Sequence, residues 1–165
     1  MKIISIEENI GSGKSIFLQY LKEHLASDKI CFLDEPVDDW LSIVDTNDKN
    51  ILESYNDDQN KYAFPFQMLA YISRLSLLKK TLQNNTYDYI ITERSLFADR
   101  NVFCKMLYDD NLIEKIEYTL YNKWFDEFNM GAFGFRGVTI TILTLRGGGR
   151  TIPNKPSLIY FTAVG

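Results

Sequence analysis

The chain has 165 residues, with 18 basic and 22 acidic groups and a net charge of −4. That length suits one domain with a buried core, and the acidic balance excludes a general nucleic-acid binder, which needs a basic face. Cys31 and Cys104 lie in apolar stretches without metal-ligand spacing and read as reduced core residues of an intracellular, cytoplasmic protein, and neither a signal peptide nor a membrane-length apolar run is evident.

Met1-Lys2-Ile3-Ile4-Ser5-Ile6 opens the chain as an apolar strand. Glu8-Asn9-Ile10-Gly11-Ser12-Gly13-Lys14-Ser15 follows, and then Phe17, Leu18, Leu21 and Leu25 fall on one helical face. Strand, glycine-bearing loop, Lys-Ser and helix is the arrangement of a P-loop, which cradles phosphates with backbone N–H groups at a helix N-terminus. Asn9, Ile10, Gly11, Ser12, Gly13, Lys14 and Ser15 would form it, with Lys14 on the β/γ-phosphates and the Ser15 hydroxyl on Mg²⁺. Glu8 stands where G-x-x-x-x-G-K-[ST] has its first glycine, which would strain the turn and set a carboxylate against bound phosphate. His24 reads as a solvated group of the first helix.

Residues 29–33 predict a second strand, ending at Asp34-Glu35-Pro36, where the proline disfavours helix at Glu35. Segment 38–61 is polar and reads as surface loops with short helices. Phe66, Leu69, Ala70, Ile72, Leu75, Leu77 and Leu78 predict a long amphipathic helix over 64–82, stopped by Asn84-Asn85-Thr86. Tyr87-Asp88-Tyr89-Ile90-Ile91-Thr92 predicts a third strand, with Glu93-Arg94-Ser95 leaving its carboxyl end. Helices follow over 97–108 and 111–128, the second carrying Ile113, Ile116, Leu120, Trp124 and Phe128. This alternation predicts an α/β fold, a parallel sheet flanked by helices.

Ligands of open α/β sheets bind beyond the carboxyl ends of the strands. Those ends would bring the P-loop, Glu35 and Glu93-Arg94 to one edge, with Lys14, two carboxylates and a guanidinium around one phosphate site. Phosphoryl transfer needs such a set: positioning, charge stabilisation and one base for the attacking hydroxyl. Taken singly, Glu35 reads as a loop or cap carboxylate and Glu93-Arg94 as a surface ion pair; their shared position favours the site.

Several pieces resemble the deoxynucleoside kinase family, in the group that includes deoxycytidine and deoxyguanosine kinases. They are Asn9 to Ser15, Glu35-Pro36-Val37-Asp38-Asp39-Trp40, Phe66-Gln67 with Arg74, Glu93-Arg94-Ser95-Leu96-Phe97-Ala98-Asp99-Arg100, Val102-Phe103 and Tyr121-Asn122-Lys123-Trp124. They run in family order from residue 3 to about 128. The resemblance implies a P-loop kinase fold, ATP or another NTP as phosphate donor, Mg²⁺, and transfer to a deoxynucleoside 5′-hydroxyl. By the same resemblance Glu35 is the base, Arg94 lies by that hydroxyl and the transferring phosphate, and Glu93 helps hold Mg²⁺. Gln67 pairs with the base edge, Trp40 walls the pocket and Tyr55 meets the 3′-hydroxyl. Arg74 and Asp99 correspond to a base-pocket pair of members that accept deoxycytidine or purines, where thymidine-preferring members are smaller or apolar. A homodimer is compatible with the family. On the residues alone, Gln67 reads as a helix-surface amide and Trp40 as a core aromatic; the less favoured alternative for Arg74 with Asp99 is a surface ion pair.

All 22 acidic residues lie at or before Phe128, while residues 129–165 hold four basic residues and seven of the nine glycines. Compositional change this abrupt separates a kinase-like domain over 1–128 from a Gly-rich tail over 129–165, with one strand expected at 138–145. A further strand, an arginine-rich lid and a final helical region are what the resembled family carries here. Arg136, Arg146 and Arg150 lack lid spacing, which suggests a shifted reading frame or a replaced end and leaves the C-terminal part incomplete. Losing a phosphate-stabilising arginine can cost about 10³ to 10⁵ in rate. Two alternatives therefore stand beside the kinase: an impaired nucleotide- or nucleoside-binding remnant, and, less well fitted because Glu35 would repel an acceptor phosphate, a nucleoside monophosphate kinase.

Overall fold

The computed structural model describes residues 1–7, 14–83, 86–130 and 139–144. The chain forms two compact units. The first comprises Met1–Asp34, Asn84–Ser95 and Arg136–Gly165, and the second Glu35–Gln83 and Leu96–Phe135.

The first unit is a parallel sheet of β1 (Lys2–Glu7), β2 (Ile30–Leu33), β3 (Tyr89–Glu93) and β4 (Thr139–Thr144), ordered β2-β3-β1-β4. Central β1 is covered on both faces, with Ile3, Ser5 and Ile6 buried, which explains its nearly unbroken apolar run. Ile6 stands opposite Glu93 on one side and Leu143 on the other, so the strands end in step. Helix α1 (Lys14–His24) turns Phe17, Leu18 and Leu21 onto the sheet, where Leu18 joins Ile6 and Ile91 in the core. His24 is exposed, as expected; its Nδ1 lies 2.8 Å from the Tyr20 carbonyl oxygen. β4 falls within the acid-free stretch and pairs with β1 along its whole length.

The second unit is helical: α2 (Val37–Leu41), α3 (Ile51–Asp57), α4 (Gln59–Gln83), α5 (Leu96–Ala98), a π-helix (Asp99–Cys104), α6 (Lys105–Asp109) and α7 (Lys115–Met130). α3 starts on a capping box, the Asn50 side chain accepting from Glu53 N at 3.0 Å while the Glu53 carboxylate accepts from Asn50 N at 2.9 Å. α4 begins at Gln59 instead of 64, because Asp58 Oδ1 accepts from Lys61 N at 3.1 Å and caps the extra turn ahead of Pro65. The helix expected over 97–108 is a run from Leu96 to Asp109 whose middle is π-helical. The next helix starts at Lys115 instead of 111, since the Leu112 and Ile113 N–H groups turn back to the Leu107 carbonyl. Tyr71 of α4 and Tyr121 and Phe125 of α7 centre the core, with Tyr71 5.4 Å from Tyr121 and 5.7 Å from Phe125 between ring centroids. Cys104 is buried and Cys31 half-buried, both free thiols.

Candidate active site

In the first unit, β1 passes to β2 across β3, and β3 passes to β4 across β1, so the connections run in opposite directions from the β1–β3 boundary. Crevices of open sheets form at such a boundary, beyond the carboxyl ends. Glu93 ends β3 there, and its Oε1 accepts a 2.9 Å hydrogen bond from Ser15 Oγ in the first turn of α1. A hydroxyl and a carboxylate are hard oxygen donors. Mg²⁺ binds through one or two carboxylates plus phosphates and retained waters, so this pair fits it, whereas no cluster of three or more His, Cys, Asp or Glu among the described residues forms a self-sufficient metal cage. Glu8 and Asn9 to Gly13 lie outside the described residues; Lys14 is the first residue of α1.

Arg94 has φ 67°, as Asp48 and Asn111 have similar positive values. Asp and Asn tolerate the left-handed region; an arginine there costs on the order of 1–3 kcal/mol and persists only where neighbours hold it. The holding groups come from β1. Arg94 N donates to the Ile6 carbonyl at 3.1 Å, and Ser95 N donates to Glu7 Oε1 at 2.7 Å. Ser5 Oγ donates to the same Glu7 oxygen at 2.7 Å. Burial pushes the Glu7 carboxyl above the usual range, against the opposing pull of the Ser5 and Ser95 hydrogen bonds and of the Arg94 charge.

In the second unit Gln67 and Arg74, seven residues apart on α4, share one helical face. Arg74 joins two carboxylates, with Nη2 2.7 Å from Glu35 Oε1 and Nη1 2.9 Å from Asp99 Oδ1. Gln67 Nε2 donates to the same Asp99 oxygen at 2.9 Å. The Arg74 and Asp99 side chains are 10% and 3% exposed, so this is a buried pair and not a surface one. Burial works against the Arg74 charge, but Asp99 and then Glu35 outweigh it and push its pKa up. Burial likewise pushes the Asp99 carboxyl up, against the pull of Arg74. Asp99 Oδ2 is buried without a hydrogen-bond partner among the described residues.

An aromatic wall adjoins this network. Trp40 Nε1 donates to Ser73 Oγ at 2.9 Å, and the Trp40 ring meets Phe66 edge to face at 5.5 Å. Tyr55 lies 5.0 Å from Phe66, and the Arg74 guanidinium sits 5.2 Å over the Trp40 ring. Trp40, Tyr55, Gln67, Arg74, Asp99 and Glu35 thus converge in one unit, from α2, α3, α4, the π-helix and the residue before α2's cap.

A model of the deoxynucleoside kinase family matches residues 4–141. The chain belongs to that family. It is 31% identical over 145 residues to mouse deoxycytidine kinase, covering 78% of this chain and 55% of that one. Against the mitochondrial deoxyguanosine kinase of Xenopus laevis it is 30% identical over 138 residues, covering 75% and 51%. A protein of Invertebrate iridescent virus 3 is 37% identical over 124 residues, covering 75% and 56%. The chain spans about half the length of the curated relatives it matches.

Sequence reasoning on this deoxynucleoside kinase chain missed three features. Glu7 was one more polar residue at a strand end, and nothing in its spacing marks it as buried. Phe66 and Ser73 complete the wall around Trp40; their signal was the face they share with Gln67 and Arg74 on α4. The bond from Arg74 to Glu35 spans 39 positions and has no local signature. Arg136, Arg146 and Arg150 lie outside the described residues. No helix among the described residues is long and apolar enough to cross a membrane.

Proposed function

We propose that the protein phosphorylates the 5′-hydroxyl of a deoxynucleoside, with ATP or another NTP as donor. The observation that carries this reading is the unbroken chain Glu35–Arg74–Asp99–Gln67, which ties a carboxylate suited to deprotonating a hydroxyl to an amide suited to reading a base. Glu35 takes the proton of the 5′-hydroxyl as its oxygen attacks the γ-phosphorus. The bond from that phosphorus to the β-phosphate oxygen breaks, and the diphosphate leaves. Lys14 and the P-loop residues Asn9 to Ser15 hold the donor phosphates, and Arg94 faces the charge of the transferring group. Ser15 and Glu93 would hold Mg²⁺, which neutralises phosphate charge when bound. Trp40, Phe66 and Tyr55 enclose the nucleoside, with Tyr55 toward the 3′-hydroxyl.

The favoured substrate is deoxycytidine or a purine deoxynucleoside. Asp99 Oδ2, a buried acceptor lacking a donor among the described residues, suits the exocyclic amine of cytosine, adenine or guanine. Thymine presents a carbonyl at the corresponding place. The reaction belongs in a reducing compartment such as the cytoplasm, consistent with two free thiols. A second copy of the chain would cover the exposed Ile116, Leu120 and Trp124, which form one stripe along α7.

An ADP-release assay across the four deoxynucleosides and their monophosphates tests this. Release is expected with deoxycytidine or a purine deoxynucleoside. Release with monophosphates alone would make the chain a nucleoside monophosphate kinase, and nucleoside binding without release would make it a binding remnant.

A further inference from the structure

We propose that Glu7 is a positioning residue, a carboxylate latch that fixes the Glu93–Arg94–Ser95 turn through the Ser95 N–H. The inference rests on the phosphotransfer reading above and adds to it a residue outside the set that touches substrate or donor. The turn must satisfy two demands at once. Glu93 has to stay in line with β3 to meet Ser15, and Arg94 has to leave that line in a left-handed conformation at φ 67°. A β-ladder holds only the first part, through Arg94 N on the Ile6 carbonyl at 3.1 Å.

Past Arg94 the chain has turned, and its next N–H, that of Ser95, is met by a side chain: Glu7 Oε1 at 2.7 Å. A carboxylate accepting from a backbone N–H makes a short, charge-assisted bond, stronger than a neutral one. Glu7 is itself pinned, because the fully buried Ser5 donates its hydroxyl to the same oxygen at 2.7 Å. Ser5, Glu7 and the Ser95 N–H therefore form a three-part strut from the central strand to the turn. The arrangement gives a reason for a half-buried carboxylate at the end of a strand whose Ile4 and Ile6 pack into the apolar core. Glu7 acts through the turn that carries Glu93 and Arg94.

Three variants of the full chain, Glu7→Ala, Glu7→Gln and Ser5→Ala, test the latch by Ser95 amide hydrogen exchange, by calorimetric binding of ATP as a function of Mg²⁺, and by steady-state kinetics. Glu7→Ala should speed exchange at Ser95 at least about tenfold. It should also raise the half-saturating Mg²⁺ about 10- to 100-fold and lower kcat by a similar factor, with the nucleoside KM unchanged, as loss of a group that orients a ligand does. Glu7→Gln keeps an acceptor for Ser95 N, weakened by the loss of charge, and should be impaired clearly less than Glu7→Ala in every measure, with Ser5→Ala between them. A merely structural role would lower the folded fraction without moving the Mg²⁺ midpoint. Protection of Ser95 in Glu7→Ala overturns the latch, as does equal impairment in Glu7→Ala and Glu7→Gln. If Glu7→Ala does not fold, the order of Glu7→Gln and Ser5→Ala decides. If wild type turns over no deoxynucleoside, the functional reading falls alone, because Ser95 exchange and the Mg²⁺ midpoint still judge the latch.

Discussion

Two carboxylates, one in each unit, stand out at the level of single residues, and their surroundings set them apart. Glu35 Oε1 is fixed by Arg74 Nη2 at 2.7 Å, and on the proposed reading its carboxylate takes the hydroxyl proton. Replacing it by glutamine keeps the shape and an oxygen for the Arg74 fork but removes the ability to take a proton. Glu35→Gln should lower kcat about 10²- to 10⁴-fold, the usual range for a general base, while calorimetry finds nucleoside binding within about threefold. Turnover within tenfold of wild type would remove Glu35 from the role. Glu7 faces Ser5, Ser95 and the Arg94 charge, and burial outweighs all three in raising its pKa. A carboxyl raised on folding favours the native state most at pH below about 4, its ordinary range, and loses that contribution as pH climbs through the raised value. Glu7→Gln lacks this loss. Its Tm relative to wild type should therefore rise between about pH 4 and neutrality, read by thermal melts; a Tm difference independent of pH would show that Glu7 titrates normally.

At the level of elements, the π-helix is what lets Asp99 meet α4. A π-turn widens the backbone by one residue, and such turns recur at functional sites. Here it opens with Asp99, whose carboxylate takes both Arg74 and Gln67. Because Arg74 also holds Glu35, the two halves of the buried pair are unequal. Asp99→Ala leaves Arg74 with Glu35, whereas Arg74→Met leaves Asp99 as a buried charge with Gln67 as its remaining donor. Losing one member of a buried pair costs about 3–5 kcal/mol, and replacing both costs less. Chemical denaturation should thus rank Arg74→Met as least stable, with the double variant recovering part of the loss through a coupling of about 0.5–3 kcal/mol. Additive effects would mean that the residues do not act as a pair. The double variant should also gain kcat/KM for thymidine relative to deoxycytidine, since the carboxylate that repels a thymine carbonyl and the bulky guanidinium that crowds its methyl group are both gone.

These same elements show where sequence was legible. β1, β2 and β3 announced themselves as short, mostly apolar runs, whereas the apolar face read along α4 did not hold: of its seven residues only Ala70 and Leu78 are buried, Ile72 is exposed, and the buried face carries Gln67, Tyr71, Ser73 and Thr81 instead. The start of α4 was hidden because Asp58, an ordinary polar residue in a polar stretch, acts as a cap only once the chain has folded. π-helical geometry has no compositional mark, so 99–104 read as ordinary helix. Residue types and family order gave Glu35, Gln67, Arg74 and Asp99 as candidates, and the resemblance already paired Arg74 with Asp99; that Gln67 and Glu35 join them was not readable, because those contacts cross 32 and 39 positions.

For the whole molecule, the consequence lies in linkage between nucleoside binding and stability. The wall of Trp40, Phe66 and Tyr55 and the network of Gln67, Asp99, Arg74 and Glu35 all belong to one unit with its own aromatic core. On the proposed reading a nucleoside binds there without turnover, so binding can be measured whatever the rest of the chain contributes to catalysis. A ligand that binds only the native state adds about 2.7 kcal/mol at a hundred times its Kd, which for a domain of this size is on the order of 5 °C in Tm. Deoxycytidine or a purine deoxynucleoside should raise Tm by that amount at saturation, and thymidine at the same concentration should raise it by much less. Asp99→Asn should narrow the gap between them, because its side chain can turn an N–H toward a carbonyl where the carboxylate offers only acceptors. An equal or larger shift with thymidine would refute the base-pocket reading while leaving the proposed roles of Ser15, Glu93 and Arg94 untouched, since these belong to the other unit.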